Sequence, residues 1–269
     1  MYTYNFSIPK PNTSVYNNNP NIFFLSCIID IIKSWKYIVC SVILQPCIKI
    51  QFSNLNISCL YQTILIYYYL SAMFTGIIEY TGRVEGVTEH GLNKTFTIIS
   101  EISKDLKVDQ SVAHSGVCLT VESITNNSHT VTAIEETLKK TCLHNWQQGT
   151  EVNIERCMLM NGRLDGHIVQ GHVDDVAVCT TKTDCNGSWE FTFTFHEKFA
   201  HLVIEKGSIC INGISLTCFN ITRNSLQVAI VPYTYIHTNM QHIEVGTAVN
   251  IEFDVLGKYI SRMHELNKQ

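Results

Sequence analysis

The first 72 residues lack glycine, histidine, arginine and glutamate, and Asp30 is their only acidic residue. All 14 glycines and all 11 histidines of the chain lie at or after residue 76. This change in composition divides the chain into a leader, residues 1–72, and a body that begins at Met73. Because the leader holds four of the lysines and the whole chain has a net charge of -4, the body is the more acidic part. Such a charge balance argues against a nucleic-acid-binding protein.

The leader also lacks an apolar run long enough to cross a membrane. Its run at residues 22–29 is broken by Asp30, and its run at residues 37–48 contains Pro46, whereas a spanning helix needs about 20 apolar residues. The patterns of a secretory signal and of an Arg-rich presequence are absent as well. We therefore expect no membrane association and a cytoplasmic protein whose leader is disordered or precedes the true start at Met73. A cryptic anchor or targeting leader is the alternative.

The body lacks the cysteine spacing of a disulfide scaffold or a zinc site. Of the 11 cysteines, four lie in the leader, and the other seven form no Cys-x-x-Cys pair. A reducing compartment fits this usage, with most of these cysteines acting as small buried apolar residues. We expect no metal ion.

The body repeats itself. Residues 111–120 read SVAHSGVCLT and residues 208–217 read SICINGISLT. In the same register, AIEET at 133–137 matches IVPYT at 230–234, and GTEVNIE at 149–155 matches GTAVNIE at 246–252. Upstream, FTGIIE at 74–79 lies over VQGHVD at 169–174. This pattern indicates a tandem duplication, and two copies of a site can hold two copies of a ligand.

Each repeat is dominated by strand and turn signals. Alternating or β-branched segments at 95–99, 130–134, 189–195 and 225–231 predict strands, and Asn-Gly and similar pairs separate them. Short helices are predicted at 137–145 and 197–205. The fold class is therefore all-β, with two tandem six-stranded antiparallel Greek-key barrels, short helices and a C-terminal helix. That last helix is indicated by an apolar stripe that a subunit interface would bury, formed by Leu256, Tyr259, Ile260, Met263 and Leu266.

Four segments together resemble riboflavin synthase of the alpha-subunit type, which is built from two lumazine-binding repeats. They are MFTGIIE at 73–79, GVCLT at 116–120, GHIVQGHVD at 166–174 and GISLT at 213–217. The resemblance leaves the leader, residues 1–72, unmatched. It implies a first repeat at 73–165, a second repeat at 166–255 and a trimerisation helix at 256–269.

The resemblance implies a dismutation that needs no cofactor. One molecule of 6,7-dimethyl-8-ribityllumazine gives a four-carbon unit to another, which yields riboflavin and 5-amino-6-(D-ribitylamino)uracil in the last step of riboflavin biosynthesis. It also implies a homotrimer in which the first barrel of one subunit faces the second barrel of its neighbour, and it leaves association with lumazine synthase open. The alternative is a non-catalytic binder of the lumazine protein type, which the two intact Gly-x-[Cys/Ser]-Leu-Thr elements disfavour.

Two identical substrates must take different roles, so their pockets should share binding residues and differ in reactive residues. The shared pairs are Leu119 with Leu216, Thr120 with Thr217, Thr137 with Thr234, and Gly76 with Gly171. The differing pairs are Cys118 with Ser215, Ile77 with His172, Asp109 with Lys206, and Cys157 with Asp254. We therefore predict as catalytic residues Cys118, His172, Ser215 and Asp254.

The wider substrate-binding set combines these positions with the resemblance. It comprises Phe74, Gly76, Ile77, Ile78, Ser111, Cys118, Leu119, Thr120, Thr132, Glu136, Thr137, His167, Gly171, His172, Val173, Lys206, Ser215, Leu216, Thr217, Ala229, Ile230, Val231, Pro232 and Thr234.

Several of these residues keep a second interpretation. Cys118 is a nucleophile, a polar contact or core filler; His167 is a site residue or a structural histidine; and Asp254 is a site carboxylate or a turn acceptor at a strand end. Ser115 stands where the second repeat has Asn212, and this difference removes an amide that could support the turn.

Overall fold

The computed structural model describes residues 73–159 and 161–268. The predictions made for the leader therefore lie outside the described residues. Among the described residues, no helix is long and apolar enough to span a membrane.

The first barrel is a closed antiparallel sheet of six strands. Around the barrel the strands follow the order β1-β2-β5-β4-β3-β6, and β6 pairs with β1 to close it. This barrel, barrel 1, consists of β1 (Tyr80–His90), β2 (Asn93–Ile99), β3 (Ser111–His114), β4 (Val117–Ile124), β5 (Ser128–Ala133) and β6 (Glu151–Arg156).

The second barrel repeats this topology strand for strand. Its order, β7-β8-β11-β10-β9-β12, is that of barrel 1 with every number raised by six. Barrel 2 consists of β7 (Asp175–Asp184), β8 (Trp189–Thr194), β9 (Ser208–Ile211), β10 (Ile214–Phe219), β11 (Ser225–Ile230) and β12 (Ala248–Phe253). The predicted fold class of two tandem six-stranded barrels is confirmed.

The helices are short and lie outside the sheets. They are α1 (Glu135–Lys140), α2 (Pro232–His237) and α3 (Val255–Leu266), with 3-10 helices at Glu101–Asp105, Cys142–Asn145, Glu197–Leu202 and Asn239–His242. The helix predicted at 137–145 is thus two short helices, and the one predicted at 197–205 is a 3-10 turn. The prediction missed α2, where Pro232 occupies the first turn and supplies a helical φ without needing its missing N–H.

Buried asparagines join the two barrels. Asn153 of β6 donates to the carbonyl of Asn212 (2.8 Å), and Asn250 of β12 donates to the carbonyl of Ser115 (2.9 Å). Both asparagines are almost fully buried. The hydroxyl of Ser115 accepts from the Asn153 amide N–H at 3.2 Å, as the Asn212 side chain does from Asn250 at 2.9 Å. Serine at position 115 therefore keeps the acceptor that supports the turn.

Barrel 1 contains a buried pair of histidines. The Nε2 atoms of His114 and His129 are 2.8 Å apart, His114 Nδ1 lies 3.0 Å from the Val112 carbonyl, and His129 Nδ1 lies 2.8 Å from the Ser103 hydroxyl. A carbonyl only accepts, so His114 carries its proton on Nδ1 and accepts from His129 Nε2–H. Burial lowers the pKa of His114 to about 3 and that of His129 to about 4.

This pair should make barrel 1 sensitive to acid. Because the folded pKa values lie below the ordinary value of 6.5, the unfolded chain binds these protons first, and stability present above pH 6.5 is lost as the pH falls. At pH 5 the loss is about 2 kcal/mol for each histidine. Urea unfolding at pH 7 and pH 5 measures it.

Barrel 2 supplies the control for this prediction, since its equivalents of Ser103, His114 and His129 are Ala200, Ile211 and Leu226. A triple variant that copies these residues into barrel 1 should therefore become more stable relative to the wild type as the pH falls from 7 to 5, by about 4 kcal/mol for the two histidines together. The buried carboxyls of Glu155 and Glu252, whose pKa values burial raises to about 7, act in the opposite direction and are unchanged in the comparison. An equal decrease in both proteins would contradict the assignment.

Candidate active site

An arm precedes each barrel: arm 1 is residues 73–78 and arm 2 is residues 168–173. The arms pair with each other, because the Phe74 N–H donates to the Val169 carbonyl (2.7 Å) and the Val169 N–H donates to the Phe74 carbonyl (3.1 Å). Both side chains are buried together with Ala113 and Cys210. This antiparallel bridge places the two arms between the barrels.

Each arm lies against the barrel of the other repeat. The Ser215 N–H of β10 donates to the Gly76 carbonyl of arm 1 (2.8 Å), and the Cys118 N–H of β4 donates to the Gly171 carbonyl of arm 2 (2.9 Å). Side-chain packing shows the same arrangement as these hydrogen bonds: Ile78 of arm 1 packs on the core of barrel 2, and Val173 of arm 2 packs on the core of barrel 1. The arms are therefore exchanged between the repeats.

Glycine is required at the contact point of each arm. Gly76 has φ +76° and Gly171 has φ +74°, a conformation that L side chains rarely adopt. A Cβ on Gly76 would lie 2.6 Å from Ser215 Cβ, and a Cβ on Gly171 would lie 2.7 Å from Cys118 Cβ. The exchanged contact is thus possible only without a side chain at these two positions.

Site 1 lies where arm 2 crosses barrel 1. Cys118 and Thr120 project from the outer face of β4. Ser111 of β3 lies opposite Thr120 in the pairing of these two strands. Burial raises the pKa of the Cys118 thiol, although a hydrogen bond from Ser111 acts against this. The Cys157 thiol also contacts β3, where it donates to the Ser111 carbonyl at 3.3 Å. The exchange brings His172 of arm 2 to this site, beside the strand that carries Cys118.

Site 2 lies where arm 1 crosses barrel 2. The Ser215 hydroxyl is 2.7 Å from Nδ1 of His167, a buried histidine. Burial lowers the pKa of His167, whereas the charge of Asp254 acts to raise it. Asp254 also caps α3 by accepting from the Leu256 N–H at 2.9 Å. Both interpretations of Asp254, site carboxylate and turn acceptor, therefore have a structural basis.

Several of the predicted binding residues are buried or contact other side chains. The side chains of Leu119 and Ile230 are buried in the barrel cores, whereas Phe74 lies between the barrels in the cluster against which Cys118 packs. Lys206 is exposed and lies over the Phe219 ring at 4.9 Å. Leu216 is partly buried against the core of barrel 2.

Other predicted binding residues lie at the surface of the barrels. Thr132 donates to Glu122, and Glu136 is exposed and forms an ion pair with Lys140. The carbonyls of Thr137 and Thr234 accept from threonine hydroxyls at the ends of α1 and α2. The remaining predicted positions near α2 are exposed, namely Ala229, Val231 and Pro232.

The two carboxylates that hold the arms were not among the predicted residues. Glu155 accepts from the N–H and hydroxyl of Thr75, both at 2.7 Å, and Glu252 accepts from the N–H of Gln170 (2.7 Å) and of His172 (2.8 Å). A signal was present, because both glutamates end the repeated Thr-x-Val-Asn-Ile-Glu segment.

Within residues 73–159 and 161–268, no cluster of three or more histidine, cysteine, aspartate or glutamate side chains could hold a metal ion. His167 and His172 belong to different sites, since His167 contacts Ser215 and His172 follows the glycine that contacts Cys118.

Comparison with known proteins agrees with the division of the chain into two repeats. The lumazine binding domain model matches the chain twice, at residues 75–157 and 170–254. The riboflavin synthase of Bacillus subtilis (strain 168) is 38% identical over 198 residues, which cover 73% of this chain and 92% of that protein. The riboflavin synthase of Actinobacillus pleuropneumoniae is 39% identical over 191 residues, covering 71% of this chain and 89% of that protein.

Solved structures share the fold at lower identity. The crystal structure of LumP complexed with riboflavin superposes with a TM-score of 0.63 at 20% identity, over 67% of this chain and 98% of that chain. LumP complexed with 6,7-dimethyl-8-(1'-D-ribityl) lumazine gives 0.61 at the same identity and coverage. The paired barrels and the two matched domains lead to one assignment: the chain belongs to the riboflavin synthase family and carries two lumazine-binding domains.

Proposed function

We propose that each barrel binds one 6,7-dimethyl-8-ribityllumazine and that the chain transfers a four-carbon unit from one molecule to the other. The products are riboflavin and 5-amino-6-(D-ribitylamino)uracil. One observation carries the proposal: the exchanged arms give two equivalent sites unlike reactive groups. Site 1 combines Cys118 with His172, whereas site 2 combines Ser215 with Ile77 and His167.

At site 1 the protonation states suggest how the residues act. Because burial raises the pKa of Cys118, its thiol is neutral near pH 7 and serves as a polar contact or proton donor rather than as a preformed thiolate. His172 is exposed at the surface of arm 2, so its imidazole can move protons to and from a bound ring. Thr120 contributes a hydroxyl on the same face as Cys118.

At site 2 the pair formed by Ser215 and His167 handles the proton. Burial keeps His167 neutral because it lowers the pKa of the ring, so the ring can accept a proton from Ser215 or from the substrate. Asp254 then stabilises the charge that appears on His167. Thr217 is the hydroxyl equivalent of Thr120.

Helix α3 carries an apolar stripe that the described residues of one chain leave exposed. Leu256, Ile260 and Met263 are each more than half exposed, and contiguous apolar surface of this kind marks protein interfaces. We therefore propose a homotrimer joined through α3, with site 1 of one subunit facing site 2 of the next. Sedimentation velocity of the purified protein tests the trimeric state.

We propose a cytoplasmic location, which the cysteines support. All seven cysteines among the described residues are free, which suits a reducing compartment and supports a cytoplasmic location. Association with lumazine synthase stays a prediction.

The decisive experiment adds dimethylribityllumazine to the purified protein in the presence of a metal chelator. We expect riboflavin and the pyrimidine in equal amounts, with two lumazines consumed for each riboflavin. Loss of activity on chelation, or a different stoichiometry, would contradict the proposal. Binding of lumazine without any riboflavin would instead favour the non-catalytic alternative.

A further inference from the structure

The next-to-last residue of the last strand in each barrel is a buried glutamate that faces its own arm. Glu155 is 4% exposed and Glu252 is 2% exposed. A buried carboxylate is strongly destabilising unless hydrogen bonds compensate for the lost water. Both glutamates receive these hydrogen bonds from arm backbone, so the two carboxylates and the two arms stabilise each other.

Glu252 holds the turn from which His172 projects. Its Oε1 accepts from the Gln170 N–H at 2.7 Å and its Oε2 from the His172 N–H at 2.8 Å, so each oxygen serves one amide. The carbonyl of Gly171, between these two amides, accepts from the Cys118 N–H at 2.9 Å. The turn is therefore fixed from both sides, and the backbone of His172 is fixed relative to Cys118.

The C-terminal helix adds a positive charge near this carboxylate. Lys258 of α3 forms an ion pair with Asp174, which also accepts from the Phe253 N–H at 2.9 Å. Burial raises the pKa of Glu252 to about 7, and the Gln170 N–H and the charge of Lys258 act against that rise. Among the charged groups near Glu252, Asp174 acts in the same direction as burial. Helix α3 thus helps to keep Glu252 ionised.

Arm 1 provides a natural comparison. Glu155 accepts from the amides of Thr75 and Gly76, but the residue equivalent to His172 there is Ile77. The position equivalent to Lys258 is Asn161, which carries no charge. The same kind of hydrogen-bonded turn therefore presents a proton-transfer group in one arm and an apolar side chain in the other.

We propose that Glu252 is a positioning residue for the reaction, which holds His172 against the strand that carries Cys118. Lys258 of the C-terminal helix supports this role because its charge favours the ionised form of Glu252. The inference rests on the proposed function, since it assigns His172 a part in turnover. Glu252 itself does not touch the substrate; it acts through the arm. Glu155 positions arm 1 in the same way, and its effect falls on binding at site 2.

The test compares Glu252→Gln with its matched control Glu155→Gln. Glutamine keeps the size but presents an amide NH2 to one of the two backbone N–H groups, which breaks the paired acceptance. For Glu252→Gln we expect kcat to fall by about tenfold or more, with KM changed by less than about threefold. For Glu155→Gln we expect the reverse split, a raised KM and a kcat within about threefold of the wild type.

Amide NMR signals give a readout that does not depend on activity. In the wild type, the Gln170 and His172 amide signals should shift together as Glu252 titrates, and Glu252→Gln should abolish that shift. Lys258→Met should move the titration to higher pH, because it removes the charge that favours ionised Glu252. Glu252→Asp, which keeps the charge on a shorter side chain, should recover part of kcat.

Two results would overturn the inference. One is an equal effect of the two glutamine variants on KM alone, and the other is arm 2 amide signals that do not respond to Glu252→Gln. If Glu252→Gln fails to fold, the Lys258→Met titration and the Glu252→Asp rate decide the question instead. A wild-type protein that binds lumazine without turnover would refute the proposed function, and the amide titration would still decide whether Glu252 holds the arm.

Discussion

Replacing His172 by alanine should lower kcat more than about tenfold while lumazine binding persists. His172 lies on the arm that contacts the Cys118 strand, and its backbone is held by Glu252 rather than by its own side chain. The arm should therefore stay in place when the imidazole is removed, so that only proton transfer is lost. Riboflavin formation gives the rate, and the fluorescence of bound ligand gives the affinity.

The matched control is Ile77→Ala, the equivalent change in arm 1. Removing this half-exposed apolar side chain should weaken binding at site 2 with less effect on kcat. Cys118→Ser should resemble His172→Ala, whereas Thr120→Ala and Thr217→Ala should each weaken binding by about 1 kcal/mol, the value of one hydrogen bond. If all of these variants show the same binding defect and no rate defect, the division of roles between the sites is wrong.

Replacing Gly171 by alanine should be among the most damaging single changes in the chain. Alanine at φ +74° costs about 1–2 kcal/mol, and its Cβ would lie 2.7 Å from Cys118 Cβ and 2.9 Å from Cys118 N. Overpacking against backbone adds about 1–3 kcal/mol. Because relief requires arm 2 to leave barrel 1, we expect both a lower unfolding free energy and a near-complete loss of turnover.

Gly91→Ala separates the cost of backbone strain from the cost of overpacking. Gly91 also has a positive φ of +62°, but a Cβ there would meet nothing within 4 Å, so only the backbone strain applies. Chemical unfolding should show a loss of about 1–2 kcal/mol for Gly91→Ala and a larger one for Gly171→Ala, with activity retained only by the first. Equal losses in both would show that the arm contact contributes little.

The architecture could be predicted from the sequence because the duplicated segments and the periodicity of the strands are visible in it directly. Two barrels of six strands follow from the number of short strands and from the need to avoid bare edges. Helix α2 was missed because its six residues, Pro232–His237, follow the predicted strand at 225–231 directly and are too few to show an apolar stripe at helical spacing. The helix predicted at 197–205 is longer than the observed 3-10 helix at Glu197–Leu202, because the apolar residues there recur at helical spacing.

The sequence indicates candidate site residues but not how they are brought together. Cys118, His172 and Ser215 could be found because they differ between otherwise matching segments. Which arm serves which barrel depends on hydrogen bonds between residues about 50 or more positions apart, such as those from Cys118 to Gly171 and from Ser215 to Gly76, and alignment of the repeats cannot show them. Glu155 and Glu252 were overlooked because their contacts with the arms join residues about 80 positions apart, which the local patterns of the sequence do not show.

The exchanged arms bear on how such a chain could arise. If each barrel were a separate copy of one ancestral domain, the same contacts would form a symmetric dimer in which each copy lends its arm to the other. In that dimer both sites would be identical, because every mutation would change both at once. Fusion of the two copies into one chain removes this constraint, and Ile77 and His172, or Cys118 and Ser215, can then diverge independently. Gene fusion would thus be the step that let two equivalent sites acquire the unequal chemistry that a reaction between identical molecules requires.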